Sequence, residues 1–112
     1  FDCSGLVTYA YALEGIAVPR TSAAQFAAAR KVDPDDLRPG DLVFFRLVPG
    51  SSAITHVGIY TGQGRFVHAP QTGRSVGEAS LDDPYFRERF AGAGRLYPEV
   101  PGDGPRLQSS PR

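Results

Sequence analysis

Two breaks, at Pro34 and at Pro39-Gly40, divide this chain into a helical part and a strand-forming part. Proline lacks the backbone donor a helix needs, and Pro-Gly favours a type II turn. Ahead of the breaks, Leu6, Ala10 and Leu13 recur at i, i+4 and i+7 with Val7 and Tyr11 beside them, which predicts a helix over residues 4–14. Asp2 suits its N-cap and Gly15 the position just past its end. A second helix is expected over residues 22–30. Ser22 and Gln25 have capping-box spacing there, and an alanine-rich stretch around Phe26 can pack closely on a neighbour.

Beyond the breaks the period changes. Residues 41–47, Asp-Leu-Val-Phe-Phe-Arg-Leu, have a continuous apolar centre and predict a strand buried on both faces. Strands over 54–60 and 65–69 follow, joined by Thr61-Gly62-Gln63-Gly64. Residues 75–79 form a weaker fourth strand, 82–90 a short helix and 95–97 a closing strand. The expectation is an α+β domain over residues 1–97, its N-terminal helices packed on an antiparallel sheet of about five strands. From Pro98 the composition is turn- and disorder-prone, so residues 98–112 are expected to be a flexible tail.

Composition narrows the function. At 112 residues and 41% hydrophobic content the chain supports one domain with a modest core. Its 12 basic and 12 acidic residues are interspersed, with no basic stripe for nucleic acid. No apolar run approaches the roughly 20 residues of a membrane span, so no transmembrane segment is expected. The sequence opens at Phe1 without a methionine, which reads as a fragment or processed product whose targeting information lies elsewhere. One cysteine cannot form an internal disulfide. Four-ligand zinc is not available from Cys3, His56 and His68 alone, so neither a metal nor a cofactor is expected.

Those three residues are nevertheless the chain's main chemical resource. Cys3 stands between polar Asp2 and Ser4 at the start of a helix, poor company for a core cysteine. There the helix dipole and the free N–H groups of the first turn favour a thiolate and an oxyanion, which predicts a depressed thiol pKa. His56 and His68 lie on successive strands. If Gly62-Gln63-Gly64 is a three-residue loop, Thr61 pairs with Arg65 and Gly58 with His68. The two histidines then share a face, with Gly58 leaving space between them. A two-residue loop would put His68 on the opposite face. In the first register His56 can act as base toward Cys3, and His68 can hold its ring in one tautomer. Asp2, Ser4, Arg20 and Ser22 are further candidates, each with a simple structural alternative as cap or solvated charge. Asp41 reads as a turn or strand-start residue, and Phe44, Phe45, Phe66, Tyr85, Phe86 and Phe90 as core.

Five pieces in order resemble the NlpC/P60 family of cell-wall cysteine peptidases. They are Asp2-Cys3-Ser4-Gly5-Leu6, Pro19-Arg20-Thr21-Ser22 with Gln25, Leu37 to Phe45, His56-Val57-Gly58-Ile59-Tyr60, and Phe66-Val67-His68-Ala69-Pro70. The resemblance implies a papain-like α+β fold and a triad of Cys3 as nucleophile, His56 as base and His68 as orienting member. It further implies peptidoglycan stem peptides as substrate, cut between γ-D-glutamate and the diamino acid, and a place in the cell envelope or outside the cell. Asp2, Ser4 and Ser22 match positions that contact the free amine of the stem peptide in similar enzymes, with Arg20 beside them. Family members also carry an upstream helical segment with a substrate-binding tyrosine, whereas here only Phe1 precedes the motif. An amidase or acyltransferase with the same triad, and a non-catalytic wall-binding module, are the rival readings.

Overall fold

The structure, a computed structural model, describes residues 2–70, 75–100 and 104–105. Helix α1 spans Cys3–Leu13, and the Asp2 side chain caps it by accepting from the Gly5 amide at 2.7 Å. It ends at Gly15, whose φ of 76° suits the left-handed turn beyond a last helical residue. The buried face is Ser4, Val7 and Tyr11, rather than the expected Leu6-Ala10-Leu13 stripe, and Leu13 is 68% exposed. Helix α2 spans Ser22–Ala28 and is capped by Thr21, which accepts from the Ala24 amide. The expected capping box is therefore displaced by one residue. Ser22 is the first helical residue and Gln25 is a buried tie, not a reciprocal cap.

Six strands form one antiparallel sheet in the order β1-β6-β2-β3-β4-β5: β1 Arg30–Val32, β2 Leu42–Phe45, β3 His56–Gly62, β4 Arg65–His68, β5 Gly77–Ser80 and β6 Phe90–Arg95. Helix α3, Pro84–Arg89, precedes β6. Two of these strands depart from expectation. β1 begins at Arg30, where a helix is expected to end, and β6 ends at Arg95, where the closing strand is expected to begin. Most of residues 98–112 fall outside the described part, but Glu99–Val100 pairs with Gly104–Pro105 as a separate two-stranded ribbon, β7 and β8.

The sheet is packed on both sides of β2, as its apolar run requires. Leu42 and Phe44 join Val7 and Tyr11 of α1, with Phe26 of α2 edge-on to Phe44 at 5.1 Å. Val43 and Phe45 face the other way, toward Phe66, Phe86 and Phe90. All four side chains of β2 are fully buried, each worth about 1.5–3 kcal/mol relative to exposure. β6 passes between β1 and β2 with small residues because space demands it. A Cβ on Gly94 would meet the Ala29 Cβ at 2.5 Å.

At the start of β2 the fully buried Asp41 carboxylate receives Arg95 Nε and Nη2, each at 2.7 Å, and the Tyr97 hydroxyl at 2.7 Å. It also accepts from the Arg38 amide at 2.9 Å, and Tyr11 donates its hydroxyl to the neighbouring Gly40 carbonyl. Both charges are satisfied, so breaking the pair is far costlier than its net contribution. Asp41→Ala, which strands Arg95, should cost about 3–5 kcal/mol in urea unfolding, against about 1 kcal/mol for Tyr97→Phe. Equal and small losses for both variants would show that the network is incidental to the fold.

Candidate active site

Cys3 is the first residue of α1, half-buried, with its thiol over the start of β3. Sγ lies 4.0 Å from the Thr55 carbonyl, and the Val57 amide also acts on it. The backbone on either side of His56 thus frames the thiol. The hydrogen bonds within the described residues do not include one from Sγ to an imidazole. Burial pushes the thiol above its ordinary value of 9.0, opposed by the Val57 and Ser4 amides and reinforced by the Asp2 charge. That reverses the depressed pKa expected at a helix start. Desolvation by the sheet outweighs the favourable N–H groups of the first turn.

The histidines meet directly. His56 Nε2 and His68 Nδ1 are 2.7 Å apart, with ring planes at 82°. The turn that brings them together is not the three-residue loop expected. Gln63 (φ 57°) and Gly64 (φ 77°) make a two-residue turn of the primed type, with Gly62 opposite Arg65. A bulge at Thr61 then inserts one residue into β3, so Tyr60 faces Phe66 and Ile59 faces Val67. Bulge plus short turn has the parity of the longer loop, and His56 and His68 share a face after all. The space above Gly58 is taken by a phenyl ring, since a Cβ there would meet Phe66 Cδ2 at 2.5 Å.

Both imidazoles are buried, 3% and 7% exposed. Burial, and secondarily the charge of His68, pushes His56 down to about 4, and burial lowers His68 as well. The resting site is therefore a neutral thiol beside a neutral imidazole pair at pH 7. The hydrogen bond between the rings requires one nitrogen to donate and the other to accept. With Nε2 of His56 engaged by His68, Nδ1 is the ring nitrogen left for other work.

Three of the four remaining candidates cluster on the first turn of α1. The Arg20 guanidinium contacts Asp2 at 3.1 and 3.2 Å and donates to Ser4 Oγ at 2.8 Å. Gly5 leaves them room, because a Cβ there would lie 2.5 Å from Asp2 Oδ1. The Gly5 amide, and then Arg20, hold the Asp2 carboxyl below its usual range. Asp2 is thus both cap and ion-pair partner. Ser22 stands apart from this cluster, donating to the Ile54 carbonyl at 3.4 Å. Gln25, fully buried beneath, donates to the Pro19 and Ser4 carbonyls at 2.8 and 3.3 Å and ties the Arg20 loop to α1.

Comparison with known proteins agrees with this fold. The NlpC/P60 family model matches residues 1–95. The chain belongs to the NlpC/P60 family. A crystal structure of an NlpC/P60 family protein from Bacillus cereus superposes with a TM-score of 0.80 at 40% identity, covering 88% of this chain and 32% of that one. Murein DD-endopeptidase MepH of Escherichia coli is 41% identical over 86% of this chain and 36% of its own length. A gamma-D-glutamyl-L-lysine dipeptidyl-peptidase of Bacillus subtilis is 35% identical over 88% of this chain and 33% of its own. The chain thus spans about a third of these relatives' length.

Two features of this NlpC/P60 domain escaped sequence reasoning. Phe86, a core residue by sequence, touches both imidazoles, and Asp41, a strand-start residue by sequence, anchors a buried ion pair. Neither has a local signal, since their partners lie far away in sequence. Among the described residues, no three His, Cys, Asp or Glu side chains group to hold a metal ion, and no helix is long and apolar enough to cross a membrane.

The depressed His56 has a measurable consequence. Unfolded, it takes a proton near 6.5, and folded it resists until about 4, so between those values the unfolded chain binds more protons. Its contribution is complete above 6.5 and is lost as pH falls through about 4, on the order of 3 kcal/mol in all. His56→Gln should flatten the fall of the unfolding midpoint across this range. An unchanged slope in that variant would contradict the assignment.

Proposed function

We propose that this domain is a peptidoglycan hydrolase, a cysteine endopeptidase that cuts stem peptides between γ-D-glutamate and the diamino acid. The observation that carries the reading is the 2.7 Å His56–His68 hydrogen bond beside a cysteine at a helix start. Cys3 Sγ attacks the scissile carbonyl while His56 Nδ1 takes its proton, and the N–H groups of the first turn of α1 receive the oxyanion. His68 holds His56 in the tautomer with Nδ1 unprotonated and favours the imidazolium that forms. His56 then gives the proton to the leaving amine, and water attacks the thioester to release the acyl product. Rotation of the Cys3 side chain brings the thiol to the ring, as in sites whose hydrogen bonds tighten only with substrate. The chemistry calls on no cofactor.

The relatives' names support the substrate class and differ on the bond, one naming a DD-endopeptidase and the other a γ-D-glutamyl-L-lysine dipeptidyl-peptidase. The acidic, partly exposed Asp2 beside the nucleophile favours the γ-D-glutamyl bond, because it suits the free amine of an L-Ala-γ-D-Glu stem. Ser4 and Arg20 border the same approach, and Ser22, apart from them, is the remaining hydrogen-bonding candidate for the stem. A charge-assisted contact of about 1.5–3 kcal/mol prefers free over blocked amines by roughly tenfold to a hundredfold. The substrate places the site of action at the cell wall, outside the cytoplasm.

Digestion of purified muropeptides, read by mass spectrometry, tests the reading. Products cut at γ-D-Glu–diamino acid are expected, with Cys3→Ala and His56→Ala inactive and His68→Asn or His68→Gln retaining part of the rate. Cleavage at a different amide would favour the amidase rival. Wall binding without cleavage, unaffected by Cys3→Ala, would mark a non-catalytic module. Because the base stays neutral down to about 4 and the thiol titrates above 9.0, kcat/KM should fall only at the two ends of that range. An acid limb centred near 6.5 would contradict the buried site.

A further inference from the structure

The histidine pair is roofed by one side chain from outside the sequence motifs. Phe86 on α3 stacks over His56, with ring centroids 6.4 Å apart and planes at 23°, and meets His68 edge-on at 5.4 Å and 87°. It is itself held by Phe45 and Phe66, each at 5.1 Å. Three features hold α3 in place. Asp83 caps it through the Tyr85 amide, Pro84 starts it, and the Arg89 carbonyl accepts from the Arg46 amide just past β2. No polar atom is available on a phenyl ring, so it cannot compete for the nitrogen lone pairs it covers.

We propose that Phe86 is a positioning residue for the reaction: its ring clamps the His56–His68 hydrogen bond, excludes water from it, and so keeps Nδ1 of His56 directed to the thiol. The proposal rests on the peptidase reading above for its kinetic consequence only. Two neighbouring rings in water would exchange partners and tautomers. A dry, edge-and-face aromatic enclosure leaves the other imidazole as the one partner for Nε2. β4 supplies His68, β2 supplies Phe45 and α3 supplies Phe86 around His56, while the Cys3 thiol of α1 lies over the Thr55 carbonyl just before it. Beside burial, the charge acting on His56 is that of His68.

The test compares Phe86→Leu, which keeps apolar bulk but loses the flat ring, with Phe86→Tyr, which keeps the ring. Should the leucine variant not fold, Phe86→Met serves the same comparison. His56 is titrated by NMR without substrate, and kcat and KM are measured on muropeptides. The leucine variant should move the His56 midpoint up from about 4 toward 6.5 and lower kcat by up to about 100-fold, with KM changed by less than about twofold. The tyrosine variant should match the parent in both. A folded leucine variant with an unmoved midpoint and unchanged kcat would overturn the proposal, as would a tyrosine variant as defective as leucine. The titration needs no turnover, so it stands whether or not the chain cleaves peptidoglycan. An active Cys3→Ala, by contrast, would sink only the peptidase reading.

Discussion

A single inserted residue, Thr61, sets the parity of the β3–β4 hairpin. With the same two-residue turn and a regular ladder, Ile59 would face His68, and the second imidazole would point to the other side of the sheet from His56. The bulge restores the alternation. It puts Phe66 over Gly58, His68 against His56, and the enclosing ring of Phe86 over both. The bulge is held by its own chemistry: Tyr60 accepts from the Gly64 amide on its hydroxyl, and Thr61 donates to the Arg65 carbonyl.

The second condition is burial. β2 is dry on both faces, so the strand beside it carries His56 into an apolar setting where protonation is costly. The same desolvation raises the Cys3 thiol, and the pair rests uncharged. In the proposed mechanism charge separation is then deferred to the moment of attack, with the first-turn amides and His68 as the groups that receive it. Stability and chemistry draw on the same burial, which is why His56 figures in both.

Much of this was readable from residues. The α1 cap at Asp2, the two-faced burial of β2, α3 and the shared face of the histidines all follow from local pattern. The shared face was right for a partly wrong reason, since turn length alone does not reveal a bulge. β6 was misplaced because Phe-Ala-Gly-Ala-Gly-Arg has almost no β-branched character. Its small residues answer to close packing against Phe26 and Ala29, a tertiary demand that propensity cannot encode. β1 was lost in the same way, as three residues that only pair because β6 lies beside them. The thiol's direction of shift was missed because a helix start was weighed without the sheet that covers it.

The proposed mechanism depends on which nitrogen of His56 carries the proton. A long-range proton–nitrogen correlation spectrum of the histidine side chains at neutral pH reads this directly. The account predicts His56 protonated on Nε2, bonded to an unprotonated Nδ1 of His68, with His56 Nδ1 bare. A proton on His56 Nδ1, with His68 as the donor, would leave no base for Cys3 and would contradict it.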